Sequence, residues 1–302
     1  MKCALCRHSK FTRLFFFLNP RAIGPREFGY FRCNHCYLVC LYPALSSQIL
    51  NRIYSDLEYF AKLCQSTESG LRDRLLSIRF FPEYHEYVEL NSKNKGELLD
   101  VGCGNGEFLE IMKKRGWKVN GIDASKEAVT NSKLRLEKQA VIKIGPVRPG
   151  IFRKKFDVIC MWHVLEHVPN PVAFVSTLSG LLKPNGKLIF EVPNASSILF
   201  NAFKNDYNWL MVPEHIFYYS ASSLSYLLRK GKMKIIRKDY PPRALLNFSL
   251  SIEKIVSKHS HKTFGKLFLF LTFPISIIYG FLAALMGKGE VLRIVATHDG
   301  KN

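Results

Sequence analysis

The hydrophobic and polar positions divide the chain into a central block that alternates between strand and helix periods and flanks that do not. Short apolar runs of strand type are separated by segments whose apolar residues recur three and four positions apart. These runs are 98–101, 117–123, 141–144, 156–162 and 187–192. Such alternation is typical of a parallel, doubly wound sheet. The pattern therefore predicts an α/β fold over 96–240, with a final strand at 289–296 in the closing segment 289–302.

The same periodicity sets the expected bounds of the other elements in this block. Helices are expected at 126–138, 171–182 and 221–229, a turn at 183–186 and a further strand near 233–239. Before the block, residues 44–95 show helical periodicity, and Pro82 suits the first turn of a new helix. We predict a helical connector over 44–95.

An uncharged segment follows the most basic part of the chain. Arg229–Lys266 holds eleven Lys or Arg residues and two acids, and Leu267–Met286 is twenty residues without a charge. By length and apolarity the second stretch could span a membrane. A crossing would separate the final strand from the rest of its sheet. We therefore expect 241–288 to be an insertion that lies on the membrane surface, with a true span and a soluble lid or dimer face as alternatives.

Composition narrows the setting without choosing a partner. The 302 residues carry a formal net charge of +20, which predicts an anionic partner such as nucleic acid, acidic lipid or a phosphorylated substrate. There are eight cysteines, and the N-terminus lacks the long apolar run of a signal peptide. We expect a reducing cytoplasm in which the cysteines serve metal binding or packing.

Two cysteine pairs near the N-terminus predict a metal site. Cys3-x-x-Cys6 and Cys33-x-x-Cys36 are separated by 26 residues, and two such pairs form the ligand set of a tetrahedral zinc ribbon. Four thiolates leave no open position, so the expected zinc is structural and the ribbon covers 1–43. The nearby side chains that compete as ligands are Cys40, His8 and His35.

A glycine-rich turn follows the first strand of the central block. Its sequence is D-V-G-C-G-N-G, which places Asp100, Gly102, Cys103, Gly104 and Gly106 between a strand and a helix that begins at Glu107. Glycine allows a positive φ and a close approach of the backbone to a ligand. Asp123 closes the next strand, roughly 20 residues further on, where an acid accepts the two ribose hydroxyls of an adenosine. Ser125 suits the N-cap of the following helix.

Imidazoles and carboxylates cluster after the fourth strand of the block. Trp162 ends that strand and is followed by H-V-L-E-H, which contains His163, Glu166 and His167, while Glu214 and His215 come later in a V-P-E-H segment. Ligands bind at the carboxyl ends of such strands, and histidine has a pKa suited to a general base. We expect the three histidines to be candidate bases, with the two glutamates orienting an imidazole or the acceptor. Helix capping by Glu166 or His167 and loop packing by Glu214–His215 are the alternatives.

These motifs resemble those of a known family. D-V-G-C-G-N-G resembles motif I of the class I S-adenosylmethionine (SAM) methyltransferases, and V-L-E-H-V-P and L-K-P-N-G resemble motifs of the group that contains the ubiquinone-pathway O-methyltransferases. The N-terminal ribbon with both E-H pairs is similar to a subgroup that includes sugar C-methyltransferases. The resemblance implies a Rossmann-like fold and an enzyme that uses SAM. It implies that SAM is held by Asp100, Gly102, Cys103, Gly104, Gly106, Asp123 and Trp162.

The resemblance also bears on metal dependence. In the ubiquinone-pathway enzymes the corresponding stretch is an E-x-x-E-H cluster implicated in binding a divalent metal. Here His163 takes the place of the first acid, which is expected to weaken a site for a hard cation.

Together the features predict a SAM-dependent methyltransferase that acts on O or C of a glycan, a lipid-linked or another membrane-borne acceptor. We expect it to be cytoplasmic and peripheral on the inner face of the membrane. An RNA methyltransferase is the first alternative, because zinc ribbons joined to this fold also occur in ribosomal RNA modification and the chain is basic. It ranks lower because the most basic segment leads into twenty apolar residues. The second alternative is a non-catalytic, SAM-binding membrane scaffold.

Overall fold

A computed structural model describes residues 1–18, 27–46, 48–50, 84–137, 140–242, 247–260 and 262–300. In chain order the strands are β1 (Phe11–Leu18), β2 (Glu27–Cys33), β3 (Val39–Tyr42), β4 (Glu97–Val101), β5 (Lys118–Asp123), β6 (Val141–Ile144), β7 (Phe156–Trp162), β8 (Leu182–Pro193), β9 (Phe217–Tyr218), β10 (Met233–Asp239) and β11 (Val291–His298). The helices are α1 (Tyr84–Leu90), α2 (Glu107–Lys114), α3 (Lys126–Leu136), α4 (Pro171–Leu181), α5 (Ile198–Phe203), α6 (Ala221–Lys230), α7 (Asn247–His259) and α8 (Lys262–Leu285).

The larger of two sheets has seven strands in the order β10-β11-β8-β7-β4-β5-β6. Strands β6, β5, β4, β7 and β8 run parallel, whereas β11 is antiparallel to both β8 and β10. The predicted doubly wound α/β fold is confirmed. Because β4 is central and the order reverses beside it, the carboxyl ends of β4, β5 and β7 form the cleft in which such sheets bind ligands.

Several predicted boundaries differ from the structure by one or two residues, as in the final strand, which is Val291–His298 and not 289–296; two other differences have local reasons. Helix α3 ends at Leu136 and not at 138, because Glu137 takes a left-handed conformation with φ 48°. The turn expected at 183–186 lies inside β8 as a bulge. The register passes from Phe156 opposite Leu182 to Val158 opposite Lys187, so the extra residues of β8 bulge out while the strand continues.

The smaller sheet joins the N-terminus to the central block. Its strand order is β1-β2-β3-β9, all antiparallel, and β9 comes from the segment that follows Glu214 and His215. Tyr218 lies opposite Val39, and one apolar core continues from this sheet into the central one. The region predicted as a ribbon is therefore part of the same packed body as the candidate site.

The helical connector and the apolar insertion are described to different extents. Residues 51–83 of the predicted connector, with Pro82, lie outside the described part of the chain, and α1 follows at Tyr84. The insertion contains α7 and α8, which enter after β10 and return the chain to β11. Within the described residues, Phe264–Leu285 of α8 is the stretch that is long and apolar enough to span a membrane, with a mean hydropathy of 2.1.

Candidate active site

The glycine turn after β4 has the backbone that its sequence requires. Gly102, Gly104 and Gly106 take φ values of 74°, 51° and 84°. A Cβ on Gly102 would lie 2.5 Å from Cγ2 of Val164, so the turn directly contacts the loop after β7. A Cβ on Gly104 would meet no atom within 4 Å among the described residues. Gly104 therefore lines an open cradle at the sheet edge.

Two aspartates stand at the bottom of this cradle. The Asp123 carboxylate accepts hydrogen bonds from the backbone N–H groups of Gly104 at 2.9 Å and Ser125 at 2.8 Å. Burial, followed by the charge of Asp123, raises the pKa of Asp100 well above its usual range. Oδ1 of Asp100 is buried without a hydrogen-bond partner in the described parts of the chain. An open cradle with an orphaned polar atom fits a polar ligand such as SAM.

The other residues predicted to hold SAM lie partly in the cleft and partly in the core. Trp162 at the end of β7 stacks on Tyr84 of α1 with ring centroids 4.0 Å apart, and Phe108 packs edge-on at 5.6 Å. Cys103 points inward, because a Cβ on Gly121 of the neighbouring strand would lie 2.8 Å from its sulfur. Cys103 thus offers its backbone to the cleft and its thiol to the core. Ser125 caps α3 as predicted, accepting from the N–H of Ala128 at 3.2 Å.

His163 lies between two buried carboxylates. Its Nδ1 is 3.2 Å from Glu166 and its Nε2 is 3.3 Å from Glu191, and its φ is 54°. Burial lowers the pKa of His163, but the hydrogen bonds and charges of Glu166 and Glu191 outweigh burial and raise the pKa to about 10. His163 is therefore an imidazolium near neutral pH. That charge suits orientation of the carboxylates and disfavours the predicted role as a general base.

A buried arginine completes this charge cluster. Arg293 of β11 contacts Glu191 through Nε at 2.8 Å and Nη2 at 2.6 Å, and both side chains are inaccessible to solvent. The Arg293 guanidinium also lies 4.5 Å from the ring centroid of Tyr87, and the Tyr84 hydroxyl donates to Glu191 at 3.0 Å. With Glu166, the cluster balances two cations against two carboxylates inside the sheet.

His167 and His215 each have one ring nitrogen fixed. Nδ1 of His167 is 2.8 Å from the backbone carbonyl of Glu214, so this nitrogen donates and Nε2 carries the lone pair. The Tyr218 hydroxyl donates to the carbonyl of Trp209, so it accepts from Nδ1 of His215 at 3.0 Å. Burial, then the nearby imidazoles, lowers the pKa of His215 well below its usual value. Both rings thus offer an Nε2 lone pair.

These two rings meet Glu166 in a set that fits a metal ion. One ligand atom from each of Glu166, His167 and His215 lies within 4.8 Å of the others, and the two rings have centroids 4.9 Å apart. Oε2 of Glu166 is buried and has no hydrogen-bond partner within the described residues. Two imidazoles and one carboxylate suit a divalent transition metal better than a hard cation. Glu214 is buried as well, and its carbonyl fixes the His167 ring.

The N-terminal cysteines converge as their spacing predicts. Sγ of Cys3 is 3.4 Å from that of Cys36, and Sγ of Cys6 is 3.5 Å from that of Cys33, with all four sulfurs within 4.8 Å of one another. These separations exceed a disulfide bond and fit four thiolates around one zinc ion. The competing side chains stand beside this set. Cys40 is buried against Cys3, and the rings of His8 and His35 pack on each other at 5.7 Å.

The ribbon holds the segment that carries His215. The Tyr30 hydroxyl of β2 donates to the backbone carbonyl of His215 at 2.6 Å, and the N–H of Leu41 donates to the carbonyl of Ile216 at 2.9 Å. The Tyr30 and Tyr218 rings pack edge to face at 5.2 Å. A ribbon strand and a ribbon side chain thus fix the position of one candidate ligand.

Sequence reasoning missed the partners that organise the cluster, namely Glu191, Arg293, Tyr84 and Tyr30. The signal for the first two was present. Glu191 and Arg293 are charged residues inside otherwise apolar strands, and they lie opposite each other in the register of β8 and β11. A charge within a buried strand requires a partner. The two tyrosines leave no such mark, because aromatic residues are ordinary in a core.

The sheet order, the glycine turn and the acid that ends β5 define the class I SAM-dependent methyltransferase fold. The family described as a methyltransferase domain matches residues 72–231, more than half of the chain. This protein therefore belongs to the methyltransferase domain family.

Relatives named as methyltransferases match this chain over part of their length. The chain is 31% identical over 150 residues to the ubiquinone biosynthesis O-methyltransferase of Histophilus somni (strain 2336). This alignment covers 46% of this chain and 63% of that protein. It is 35% identical over 158 residues to the ubiquinone biosynthesis O-methyltransferase of Xanthomonas euvesicatoria pv. vesicatoria (strain 85-10), with 48% and 64% covered. The chain thus spans less than two thirds of these relatives.

Solved structures support the fold. A SAM-dependent methyltransferase from Clostridium acetobutylicum ATCC 824 aligns with TM-score 0.51 and 12% identity over 80% of this chain and 99% of that one. A TehB-like SAM-dependent methyltransferase from Corynebacterium glutamicum aligns with TM-score 0.50 and 12% identity over 80% and 97%. At this identity the similarity shows the fold alone, and it agrees with the predicted class.

Gly104→Ala should separate ligand binding from folding. The added methyl group meets no atom of the described residues, so we expect only the left-handed backbone to cost stability, by roughly 1–2 kcal/mol. The methyl group enters the cradle, so the Kd for SAM should rise at least about tenfold. Titration calorimetry and urea unfolding measure the two effects. Gly180→Ala, in an open position of α4, is the matched control and should leave the Kd unchanged. Unchanged SAM affinity in Gly104→Ala would show that the cradle lies elsewhere.

Proposed function

We propose that this protein transfers the methyl group of SAM to an oxygen or carbon atom of a lipid-linked, glycan or other membrane-borne acceptor. The observation that carries the proposal is the contact between the two halves of the site: Gly102 of the donor turn packs on Val164, between His163 and Glu166. A nucleoside cradle and a buried imidazole–carboxylate group thus share one cleft. The O-methyltransferases among the relatives favour oxygen as the acceptor atom.

The residues divide the work as follows. The backbone around Gly104 and the carboxylates of Asp100 and Asp123 bind the nucleoside and direct the donor toward the loop after β7. SAM supplies an activated methyl group: the acceptor atom bonds to the methyl carbon, and the electron pair of the breaking C–S bond stays on sulfur. The hydroxyl proton of an oxygen acceptor passes to Nε2 of His167 or His215, whose tautomers leave that nitrogen unprotonated. Alignment supplies most of the remaining rate.

A divalent metal fits the same group. Glu166, His167 and His215 would hold it as an alternative to the base role, because the Nε2 lone pairs would then bind the metal, and it would supply a Lewis acid that lowers the pKa of an acceptor hydroxyl. His163 replaces the first acid of the E-x-x-E-H cluster, which predicted a weakened metal site. It lies outside this ligand set and orients Glu166 instead. His215 would supply the third ligand.

We also infer that Cys3, Cys6, Cys33 and Cys36 hold a structural zinc ion, supported by their converging sulfurs. The cytoplasmic, membrane-peripheral setting remains part of the proposal and is supported by the exposed apolar helix α8. No feature of the described site favours RNA as the acceptor.

The proposal is tested with purified protein, SAM labelled in its methyl group and lipids extracted from membranes. We expect saturable SAM binding and label in the organic phase. Asp123→Ala should raise the Kd for SAM at least about tenfold, because charge-assisted hydrogen bonds are lost, while Glu127→Ala, which removes an exposed carboxylate nearby, should not. His215→Asn should retain SAM binding and lose most of the label transfer. Absence of saturable SAM binding, or label in RNA instead of lipid, would contradict the proposal.

A further inference from the structure

The insertion after β10 has an inverted burial pattern. Ten of the 22 large apolar side chains that are exposed in the described residues lie between Phe264 and Met286. The buried positions of α8 are small residues, namely Gly265, Ser276, Gly280 and Ala283. A helix that covers a soluble core shows the opposite arrangement, with large apolar residues inward. Small residues at the contact and large ones outward are typical of helices packed in lipid.

Helices α7 and α8 form an antiparallel hairpin. A Cβ on Gly265 would lie 2.0 Å from the hydroxyl of Ser257, so the two backbones approach closely near the tip. Further down, the N–H of Ser249 donates to the hydroxyl of Ser276 at 3.5 Å. At the base, Phe248 stacks on Tyr279 with centroids 5.8 Å apart. Tyr279 therefore packs against α7 at the base, whereas the exposed large side chains of α8 face away from α7.

The base of the hairpin is fixed to the catalytic body. The Tyr279 hydroxyl donates to the Glu290 carboxylate at 3.0 Å, and Tyr207 donates to the other oxygen of Glu290 at 2.5 Å. The hairpin connects β10 and β11, which are neighbouring strands of one sheet. A crossing by α8 alone would place these two strands on opposite sides of a membrane. The hairpin therefore enters and leaves from the same side.

The base also lies next to the candidate site. The N–H of Asn208 donates to the Ser251 hydroxyl of α7 at 3.1 Å, and the adjacent Trp209 packs its ring on His163 at 5.5 Å. One segment thus contacts both the hairpin and the buried charge cluster. A surface that binds the hairpin therefore lies close to the part of the cleft that contains His163.

Charge distinguishes a lipid surface from a second copy of the chain as the occupant. Between Asn247 and Met286 the sequence has four lysines and one acid, Glu253. Another copy would bring the same positive hairpin and repel it. An anionic leaflet attracts an exposed lysine by about 1 kcal/mol and accepts the apolar side chains that follow these lysines in α8.

We propose that the α7–α8 hairpin is an in-plane membrane anchor that inserts the exposed side chains of α8 into one anionic leaflet and holds the catalytic cleft against the lipid. The inserted residues include Phe268, Leu271, Ile275, Ile278 and Leu282. The anchor deepens the proposed function, because it places the acceptor at a lipid surface. Only the nature of the acceptor rests on the proposed function; the binding of the hairpin to lipid does not.

Vesicle flotation of the full chain tests the anchor without any methyl transfer. We expect the protein to float with phosphatidylcholine–phosphatidylglycerol vesicles and to bind at least about fivefold more weakly to phosphatidylcholine alone. Phe268→Asp/Leu271→Asp should weaken binding at least about 30-fold, because each charge is costly within lipid. The matched control Leu90→Asp/Leu134→Asp replaces leucines exposed elsewhere and should change binding less than threefold.

SAM affinity shows whether the variants are folded. It should be unchanged in both double variants, because the hairpin lies outside the nucleoside cradle. Equal flotation of Phe268→Asp/Leu271→Asp and the parent would overturn the anchor. So would a parent protein that stays unbound and forms a dimer dispersed by the same substitutions. Failure of the proposed function would appear instead as lost SAM binding in a protein that still floats.

Discussion

Cys36→Ser should reduce methyl transfer at least about 100-fold while leaving the Kd for SAM within about threefold. Loss of zinc frees strands β1–β3, which hold the backbone of His215 through Tyr30 and pair with β9. A displacement of about 1 Å at a reacting group is enough for a loss of this size. The candidate SAM cradle is built by β4 and β5, which belong to the central sheet and do not pair with the strands of the ribbon sheet. Metal analysis, SAM titration and turnover measured on one preparation test the expectation.

Two variants sharpen the interpretation. Cys40→Ser alters a buried thiol beside the cluster and should retain one zinc ion per chain, whereas zinc loss in this variant would place Cys40 among the ligands. Tyr30→Phe leaves the four cysteines in place and removes the hydroxyl that donates to the His215 carbonyl and also interacts with Tyr218, so its turnover should lie between those of the parent and Cys36→Ser. If Cys36→Ser lost SAM binding and turnover together, the ribbon would stabilise the whole catalytic domain and not only the segment that carries His215.

Arg293→Met should lower the free energy of unfolding by about 3–5 kcal/mol, the usual cost of leaving one partner of a buried ion pair uncompensated. Its removal leaves Glu191 and Glu166 with His163 as their cation. Urea unfolding followed by circular dichroism measures the change. The substitution preserves most of the apolar volume, so charge and not a cavity dominates the effect.

The neighbouring strand offers a matched control. Arg237→Met removes a cation from the surface pair with Asp239, where both side chains are at least one-third exposed, and should cost less than about 1 kcal/mol. The double variant Glu191→Gln/Arg293→Met should recover much of the lost stability, because no unpaired carboxylate remains at that position. If Arg293→Met behaved like Arg237→Met, the cluster would not be a charge-balanced unit.

Local patterns were enough to predict the central sheet. Strands β6, β7 and β10 have the predicted bounds, because short apolar runs with clear breaks define a buried parallel strand. The glycine turn and Asp123 were also readable, since few sequences place an acid and three glycines at such a strand end. Both signals depend on neighbours along the chain.

Long-range partners were not readable in this way. His163 was a candidate base from its residue type, but its charge depends on Glu166 and also on Glu191, which lies 28 positions later in a different strand. The joint between β3 and β9 was missed because two-residue strands have no periodicity. The inverted burial of α8 also required the structure, since an apolar segment has the same sequence whichever face it turns outward.

The pairing of β3 with β9 has a consequence for synthesis of the chain on the ribosome. Val39 leaves the ribosome long before Tyr218, its partner, has been made. During that interval the nascent ribbon exposes the unpaired edge of β3, which is able to pair with strands of other chains. Early loading of the proposed zinc would therefore protect the nascent N-terminus, because it would hold three strands together until the fourth emerges.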